Sequence, residues 1–517
     1  QYQELQKNIE ELVEEYILFK TKKDKYLLME NCPGLKIGKL AINKKGFGFL
    51  ILDREDDIYI GENNLNNAIH NDTVLVEIFK KGLKPEGKVL KIIKRDVKNV
   101  VGEIIIENEK MILKPDDNKL DLKIYLSKET TKDCVEGHKV LAILSKNTGN
   151  KTYIADVIKI LGHKDDAGID ILSIAYKYGI YNEFSKEAEK ELENIPNEVD
   201  KNDLLGRKDL TQEMIFTIDG DDTKDIDDAI SLDYKNGIYT LGVHIADVSH
   251  YVKENTALGD DAYDRGTSAY LADTVIPMLP HKLSNGICSL NEDVVRLSMS
   301  CVMNINERGD IINYDIFPSF IKSRKKMTYD CVNKILENNE ITEGYEPFNE
   351  TLLKMNELAK ILRKKKVNRG YIEFETSEAK VIQDKDGRAI DIKKRIQGSG
   401  ENLIEDFMIA ANETVATHIA NMDLPFIYRI HALPNAEKIE DFLNLVKILG
   451  YTIKTSINEI TPKTMQRLLE ELKDKPEYPI LSTLLLRSMK KAEYSKTNIG
   501  HFGLASDNYT HFTSPIR

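Results

Sequence analysis

The sequence predicts a multidomain protein with two small β-barrels, a large α+β domain and a helical element ahead of them. Three observations carry that prediction. The chain has 517 residues, too many for one hydrophobic core and, at about 150 residues per domain, enough for three or four. Between Lys36 and Leu161, short β-rich runs punctuated by turns come in two successive sets of five. From Leu210 onward, strand and helix patterns mix with no gap in composition.

In residues 1–33, Leu5, Ile9, Leu12, Val13 and Tyr16 recur at helical spacing, which predicts an amphipathic helix and a short second element. Residues 34–97 carry strand patterns at Ile37–Ile42, Gly46–Leu52, Ile58–Ile60, Thr73–Phe79 and Gly87–Ile93. Five strands in so short a stretch suit a barrel of the OB or cold-shock type. Residues 98–164 repeat the pattern in diverged form, at Val101–Glu107, Lys110–Pro115, Lys123–Leu126, His138–Leu144 and Thr152–Leu161. Residues 165–209 turn helical and charged, as in Ser185–Ile195 before Pro196, and read as a connector. In 210–517 the predicted strands are Ala229–Asp233, Ile238–Val248 and Leu297–Ile305. The predicted helices are Tyr329–Asn338, Phe348–Val367, Leu403–Met422, Ala436–Leu449 and Lys463–Leu472.

Charged residues make up 31% and apolar ones 41%, with no apolar run long enough to span a bilayer and no charged-then-apolar leader. The expectation is a soluble, cytoplasmic protein with no membrane contact. Cys32, Cys134, Cys288, Cys301 and Cys331 are scattered without C-x-x-C spacing, as for reduced structural thiols. A net charge of −12 argues against a protein that coats nucleic acid. Clustered carboxylates that hold cations would account for part of that total while leaving room for a basic channel beside them.

Thr217 to Ile230 holds six aspartates in fourteen residues. Carboxylates at that density repel one another unless cations neutralise them, and oxygen-only ligands favour a hard divalent ion such as Mg²⁺ or Mn²⁺. Asp225-Ile226-Asp227-Asp228 leads directly into a strand, and Asp219 can return from the preceding turn to the same place. Cations held there could activate water for phosphodiester hydrolysis. An acidic surface loop or a calcium-stabilised turn is the plainer alternative, although an EF-hand would want Glu where Ile230 stands. Gly398-Ser399-Gly400 lacks the third glycine of a dinucleotide loop, and no phosphate-binding G-x-x-x-x-G-K-[ST] occurs. His244, His281, His431, His501 and His511 show no metal-ligand spacing. Glu405 lies in an apolar helical stretch, where a carboxylate needs a partner.

The segment from Ile218-Asp219-Gly220 to Asp225-x-Asp227-Asp228-Ala229 resembles the signature that opens the catalytic (RNB) domain of the RNase II/RNase R exoribonucleases. Val243-His244-Ile245-Ala246-Asp247-Val248-Ser249, Pro277-Met278-Leu279-Pro280 and His511 to Arg517 resemble the same family in the same order. The long N-terminal element and the Lys496–Ala505 stretch look more like its RNase R branch. The resemblance implies magnesium-dependent, processive 3′ to 5′ hydrolysis of single-stranded RNA, or RNA with a 3′ overhang, to 5′-mononucleotides by a monomer. It implies that Asp219, Asp225, Asp227 and Asp228 surround the metals, with Asp228 most critical, and that Arg517 stabilises charge at the scissile phosphate. It implies that Tyr270 and Phe374 grip the terminal bases, and that Glu405 and Tyr329 lie on the substrate side. Packing is the plain alternative for Tyr270, Phe374 and Tyr329. Lys45-Gly46-Phe47-Gly48-Phe49 resembles the aromatic strand of cold-shock domains, so Phe47 and Phe49 are either an RNA-stacking pair or a buried one. The basic run Lys80-Lys81-Gly82-Leu83-Lys84 would support the same RNA path, or is simply solvated. The family's S1 barrel and the RNase R basic tail would follow Arg517, so the catalytic domain is expected to be C-terminally incomplete. A non-catalytic RNA-binding or chaperone protein and a metal-dependent endoribonuclease are the rival readings.

Overall fold

Alternation along the first strands sets the inside of the first barrel. Leu50, Ile58 and Ile60 are buried, while Phe49 and Ile51 on either side of Leu50 point outward. In the computed structural model, which describes all residues except 1–4, 7, 10–11, 14–17, 21–24, 30–31, 33, 53–55, 81–83, 150, 272–273, 374–377, 385–387, 396, 452–459 and 514–517, the chain divides into two units. Their bulk is residues 1–181 and 182–517.

In the first unit, Leu5, Ile9, Leu12 and Val13 are helical, as their spacing predicts. The short element after them is a pair of strands, β1 (Leu18–Lys20) and β2 (Tyr26–Leu28), joined antiparallel. The first barrel is built from β3 (Leu35–Ile42), β4 (Gly48–Ile51), β5 (Ile58–Ile60), β6 (Thr73–Lys80) and β7 (Glu86–Lys94). The second uses β8 (Asn99–Glu107), β9 (Lys110–Pro115), β10 (Lys123–Leu126), β11 (His138–Gly149) and β12 (Thr152–His163). Both close in the same order, first-second-third-fifth-fourth, with a parallel third–fifth pair in each. That shared topology gives the weak sequence repeat its physical content. In both, a glycine of the first strand permits the closure: a Cβ on Gly38 or Gly102 would collide with the carbonyl oxygen of Ile51 or Lys114 on the second strand.

Between the barrels runs Arg95, whose guanidinium donates to Asp72 (3.0 Å) and the Asn67 carbonyl (3.0 Å) of the first and to the Tyr153 hydroxyl of the second. Helix α1 (Ile169–Lys177) lays Leu172 and Tyr176 on Val101, Leu141 and Leu161. The expected connector is therefore divided, because its first helix has an apolar face that the second barrel covers. Its second helix, α2 (Lys186–Glu193), is capped by Ser185 (3.1 Å to Ala188 N) and packs in the second unit against α3 (Ala257–Arg265).

The second unit is built on a five-stranded sheet ordered β13 (Lys208–Asp209), β20 (Ile311–Lys322), β19 (Val295–Asn306), β16 (Ile238–Ala246) and β15 (Asp228–Lys235). Tyr239, Leu241, Val243 and Ile245 alternate onto one face and meet helices α4 (Tyr329–Asn338), α5 (Asn349–Arg369) and α6 (Ser399–Asn421). The long α6 buries Leu403, Phe407, Ala411 and Val415 there. A second helical layer, α7 (Ala436–Ile448), α8 (Pro462–Leu472) and α9 (Tyr478–Ser488), has its own core around Ile439, Met465 and Leu481. Short pairs lie outside the sheet: β14 (Thr217–Asp219) with β21 (Lys326–Thr328), and β17 (Ala269–Tyr270) with β18 (Val275–Ile276). No pair of cysteines forms a disulfide. Among the described residues no helix is long and apolar enough to cross a membrane.

Candidate active site

The aspartate-rich segment runs from the last residue of β14, Asp219, to the first residue of β15, Asp228. Parallel pairing sets Asp219 beside Thr328, and antiparallel pairing sets Asp228 opposite Ile245. The loop between them is pinned at Ile226, whose side chain is buried. Its N–H donates to Ser289 Oγ (3.0 Å), and its carbonyl accepts from Leu290 N (3.0 Å). Ser289 Oγ donates in turn to the Lys224 carbonyl (2.8 Å), and the Asp227 carbonyl accepts from Ala246 N (2.9 Å). One buried apolar side chain and one serine thus hold a loop whose acidic side chains would otherwise drive it apart.

Asp219, Asp221, Asp222, Asp225, Asp227 and Asp228 line a cavity of about 840 Å³ together with Tyr270, Tyr329, Asp330 and Glu401. Asp219 Oδ1 accepts from Gly220 N (2.8 Å) and Thr223 Oγ1 (2.9 Å), and Asp225 Oδ2 accepts from the Tyr270 hydroxyl (2.8 Å). Burial, with Asp225 adding to it, raises the Asp219 carboxyl against the bonds from Gly220 and Thr223 and the cation of Lys326. Asp228 keeps some surface toward the cavity but is densely surrounded by protein. That desolvation, ahead of the charges of Asp219 and Asp227, pushes its carboxyl up to about 7. Among the described residues no three carboxylates, imidazoles or thiolates converge as a ready-made metal shell. The donor set still fits a hard dication, because it is all oxygen and, among the described residues, the charges acting on its most enclosed member are the anions Asp219 and Asp227.

Tyr270 is 63% exposed at the cavity edge, and Tyr329 reaches the cavity from the first turn of α4, behind the Thr328 cap (3.4 Å to Cys331 N). Glu405 does not line the cavity. It accepts from Lys366 Nζ (2.9 Å) and Tyr371 Oη (3.3 Å), while Asp406 beside it accepts from Arg363 Nε (2.8 Å) and forms an ion pair with Lys366 Nζ (2.8 Å). Burial alone would raise the Glu405 carboxyl, but Lys366 and then Arg363 overcome it and hold it below its usual range. The partner that this helical carboxylate required is thus a buried ion-pair cluster. Phe374 and Arg517 lie outside the described residues.

On the first barrel, Phe47 and Phe49 meet edge-on (5.7 Å), and each also touches Tyr59 (5.3 and 5.8 Å). Phe49 is 37% exposed, so the rings form an outward cluster and not a buried pair. The outward position of Tyr59 was readable from its setting between Ile58 and Ile60, yet it escaped the sequence reading. So did Asp330, Glu401 and Lys326. Glu401 accepts from Asn333 Nδ2 (3.0 Å) and Gly398 N (3.0 Å), which makes Gly398-Ser399-Gly400-Glu401 the capped start of α6. His244 sits between Ser231 Oγ (3.1 Å) and Ser300 Oγ (2.7 Å), and burial drives its imidazole down to about 3.

Two five-stranded barrels thus precede, in the chain, an α+β unit that carries a carboxylate-lined cavity. The chain matches the RNB domain over residues 207–517, the ribonuclease B OB domain over 38–92 and the cold shock domain over 112–185. It is 46% identical to ribonuclease R of Thermotoga maritima, with 93% of this chain and 69% of the relative aligned. It is 41% identical to ribonuclease R 1 of Lactococcus lactis, over 100% of this chain and 66% of that one. The structure of Mycoplasma genitalium RNase R in complex with ribose-methylated single-stranded RNA superposes with a TM-score of 0.88 at 29% identity, covering 93% of this chain and 77% of that one. The chain belongs to the RNB family of 3′ to 5′ hydrolytic exoribonucleases, in its ribonuclease R branch.

Proposed function

We propose that this chain degrades single-stranded RNA, or RNA with a 3′ overhang, processively from the 3′ end, releasing 5′-nucleoside monophosphates. The observation that carries the proposal is the cavity that Asp219, Asp225, Asp227 and Asp228 line together. Mg²⁺, or Mn²⁺ in its place, held by Asp219, Asp225, Asp227 and Asp228, would supply Lewis acidity for the attacking water and the leaving 3′ oxygen. The protein's own part is positional. Ser289 and Ile226 hold the loop, and the ring of Tyr270 offers a stacking face at the cavity edge; a base-gripping role for Phe374 is carried over from the family resemblance alone. Tyr329 takes a substrate-side role from the cavity wall, the substrate-side role of Glu405 rests on the family resemblance alone because its carboxylate is engaged by Lys366 and Tyr371 off the cavity, and Arg517 supports charge building at the phosphate, as a guanidinium fork does. The aromatic cluster of Phe47, Phe49 and Tyr59 suits bases of an unpaired strand, which stack without regard to sequence. The protein would act as a monomer in the cytoplasm, where its cysteines stay reduced.

The test follows a 5′-labelled single-stranded RNA with Mg²⁺ on a sequencing gel, alongside Asp228→Asn and a chelator control. Shortening from the 3′ end to a small limit product, lost in both controls, is the expected result. Internal fragments would make the protein an endonuclease, and binding without shortening would make it a binding module.

A further inference from the structure

We propose that the Tyr270 hydroxyl is a positioning group that competes with the divalent cation for Asp225, coupling base stacking at the cavity edge to completion of the metal site. The proposal rests on Asp219, Asp225, Asp227 and Asp228 being the metal-binding set. It starts from a mismatch between the exposure of Tyr270 and its bonding. The residue is 63% exposed, on a strand of two residues, yet its hydroxyl reaches back to donate to Asp225 Oδ2 at 2.8 Å. A hydrogen bond to an ionised acceptor is the stronger kind, and it occupies an oxygen that a hard cation would also require.

The restraints on the two bonded aspartates differ in origin. Asp219 is held by Gly220 and Thr223 of its own turn. Asp225 is held by a side chain from a separate two-stranded pair, forty-five residues away in sequence. The first restraint moves only with the loop, whereas the second moves when Tyr270 moves. A base that stacks on the Tyr270 ring draws the hydroxyl off Asp225 and frees the oxygen. Reciprocity then requires that a cation bound at Asp225 strengthen stacking on Tyr270 by the same factor.

Binding of Mn²⁺ alone, read from the paramagnetic resonance of the free ion, separates this coupling from activity. The full chain, Tyr270→Phe, Asp225→Asn and the double variant are compared, each without RNA. Tyr270→Phe is expected to bind Mn²⁺ about tenfold more tightly than the unaltered chain, the scale of one charge-assisted hydrogen bond. In the Asp225→Asn background, Tyr270→Phe should have no effect. A ribose-methylated oligoadenylate should raise the Mn²⁺ affinity of the unaltered chain and leave that of Tyr270→Phe unchanged. Equal Mn²⁺ affinities with and without the hydroxyl, or a gain that persists without Asp225, would overturn the proposal. If Asp228→Asn binds Mn²⁺ as well as the unaltered chain does, the metal reading itself fails and takes the coupling with it.

Discussion

Asp228 opens β15 with Asp219 and Asp227 as the charges acting on it, so its ionised form costs stability whenever no cation is present. Asp228→Asn should abolish RNA shortening while stabilising the metal-free protein by roughly 1–3 kcal/mol, measured by denaturant unfolding at pH 8 in chelator. A loss of stability would mean that the carboxylate is satisfied in a way its surroundings do not suggest. Lys366 is the opposite case. It is 5% exposed and bridges Glu405 (2.9 Å) and Asp406 (2.8 Å), so replacing it with Met leaves two enclosed anions with one cation fewer. The expected cost is about 3–5 kcal/mol in the same unfolding measurement. Residue-scale chemistry was partly legible in the sequence. The density of aspartates between Thr217 and Ile230 announced the acidic site, but nothing local to Glu405 could reveal that Lys366 and Arg363 would meet it from another helix.

At the scale of elements, the barrel strands were readable because their interiors alternate cleanly. Leu50, Ile58 and Ile60 mark one face, and every predicted strand of both barrels is present. Strand β20 was not readable, since Pro318 in its middle argues against a sheet position. The sheet tolerates it because β13 is only two residues long and pairs with Ser319 and Phe320, beyond the proline. The strands β1 and β2 were foreseen only as a short second element of unstated type, since three residues apiece carry too little alternation to mark a strand. The outward cluster of Phe47, Phe49 and Tyr59 yields an element-scale prediction. Tyr59→Ala should weaken binding of a long unpaired RNA by about 1–3 kcal/mol in a titration under catalytically silent conditions. The turnover of an oligonucleotide too short to reach the barrel should be unchanged, and an equal loss on both substrates would count against the stacking role.

For the whole molecule, acid should be destabilising. Burial holds His244 and His501 at about 3 and His511 at about 4 in the folded state, against 6.5 when unfolded. Between those values the unfolded chain binds more protons, so stability falls as pH drops from about 6.5 toward 4, by about 1.4 kcal/mol per unit for His244 alone. Asp228, raised to about 7, has the opposite slope, because over the same window the folded state is the one that holds the extra proton. The Asp228→Asn protein lacks that compensation and should lose stability more steeply on acidification. A pH series of unfolding midpoints for the two proteins checks this, and parallel curves would contradict it.

The central claim is that the carboxylate-lined cavity hydrolyses RNA one nucleotide at a time from the 3′ end, and the fate of the attacking water tests it most directly. Digestion of an unlabelled RNA in ¹⁸O-enriched water with Mg²⁺, followed by mass spectrometry of the products, should give 5′-nucleoside monophosphates carrying one ¹⁸O in the phosphate, and none from Asp228→Asn. Products with a 3′-phosphate, mononucleotides without the label, or labelled internal fragments would contradict it.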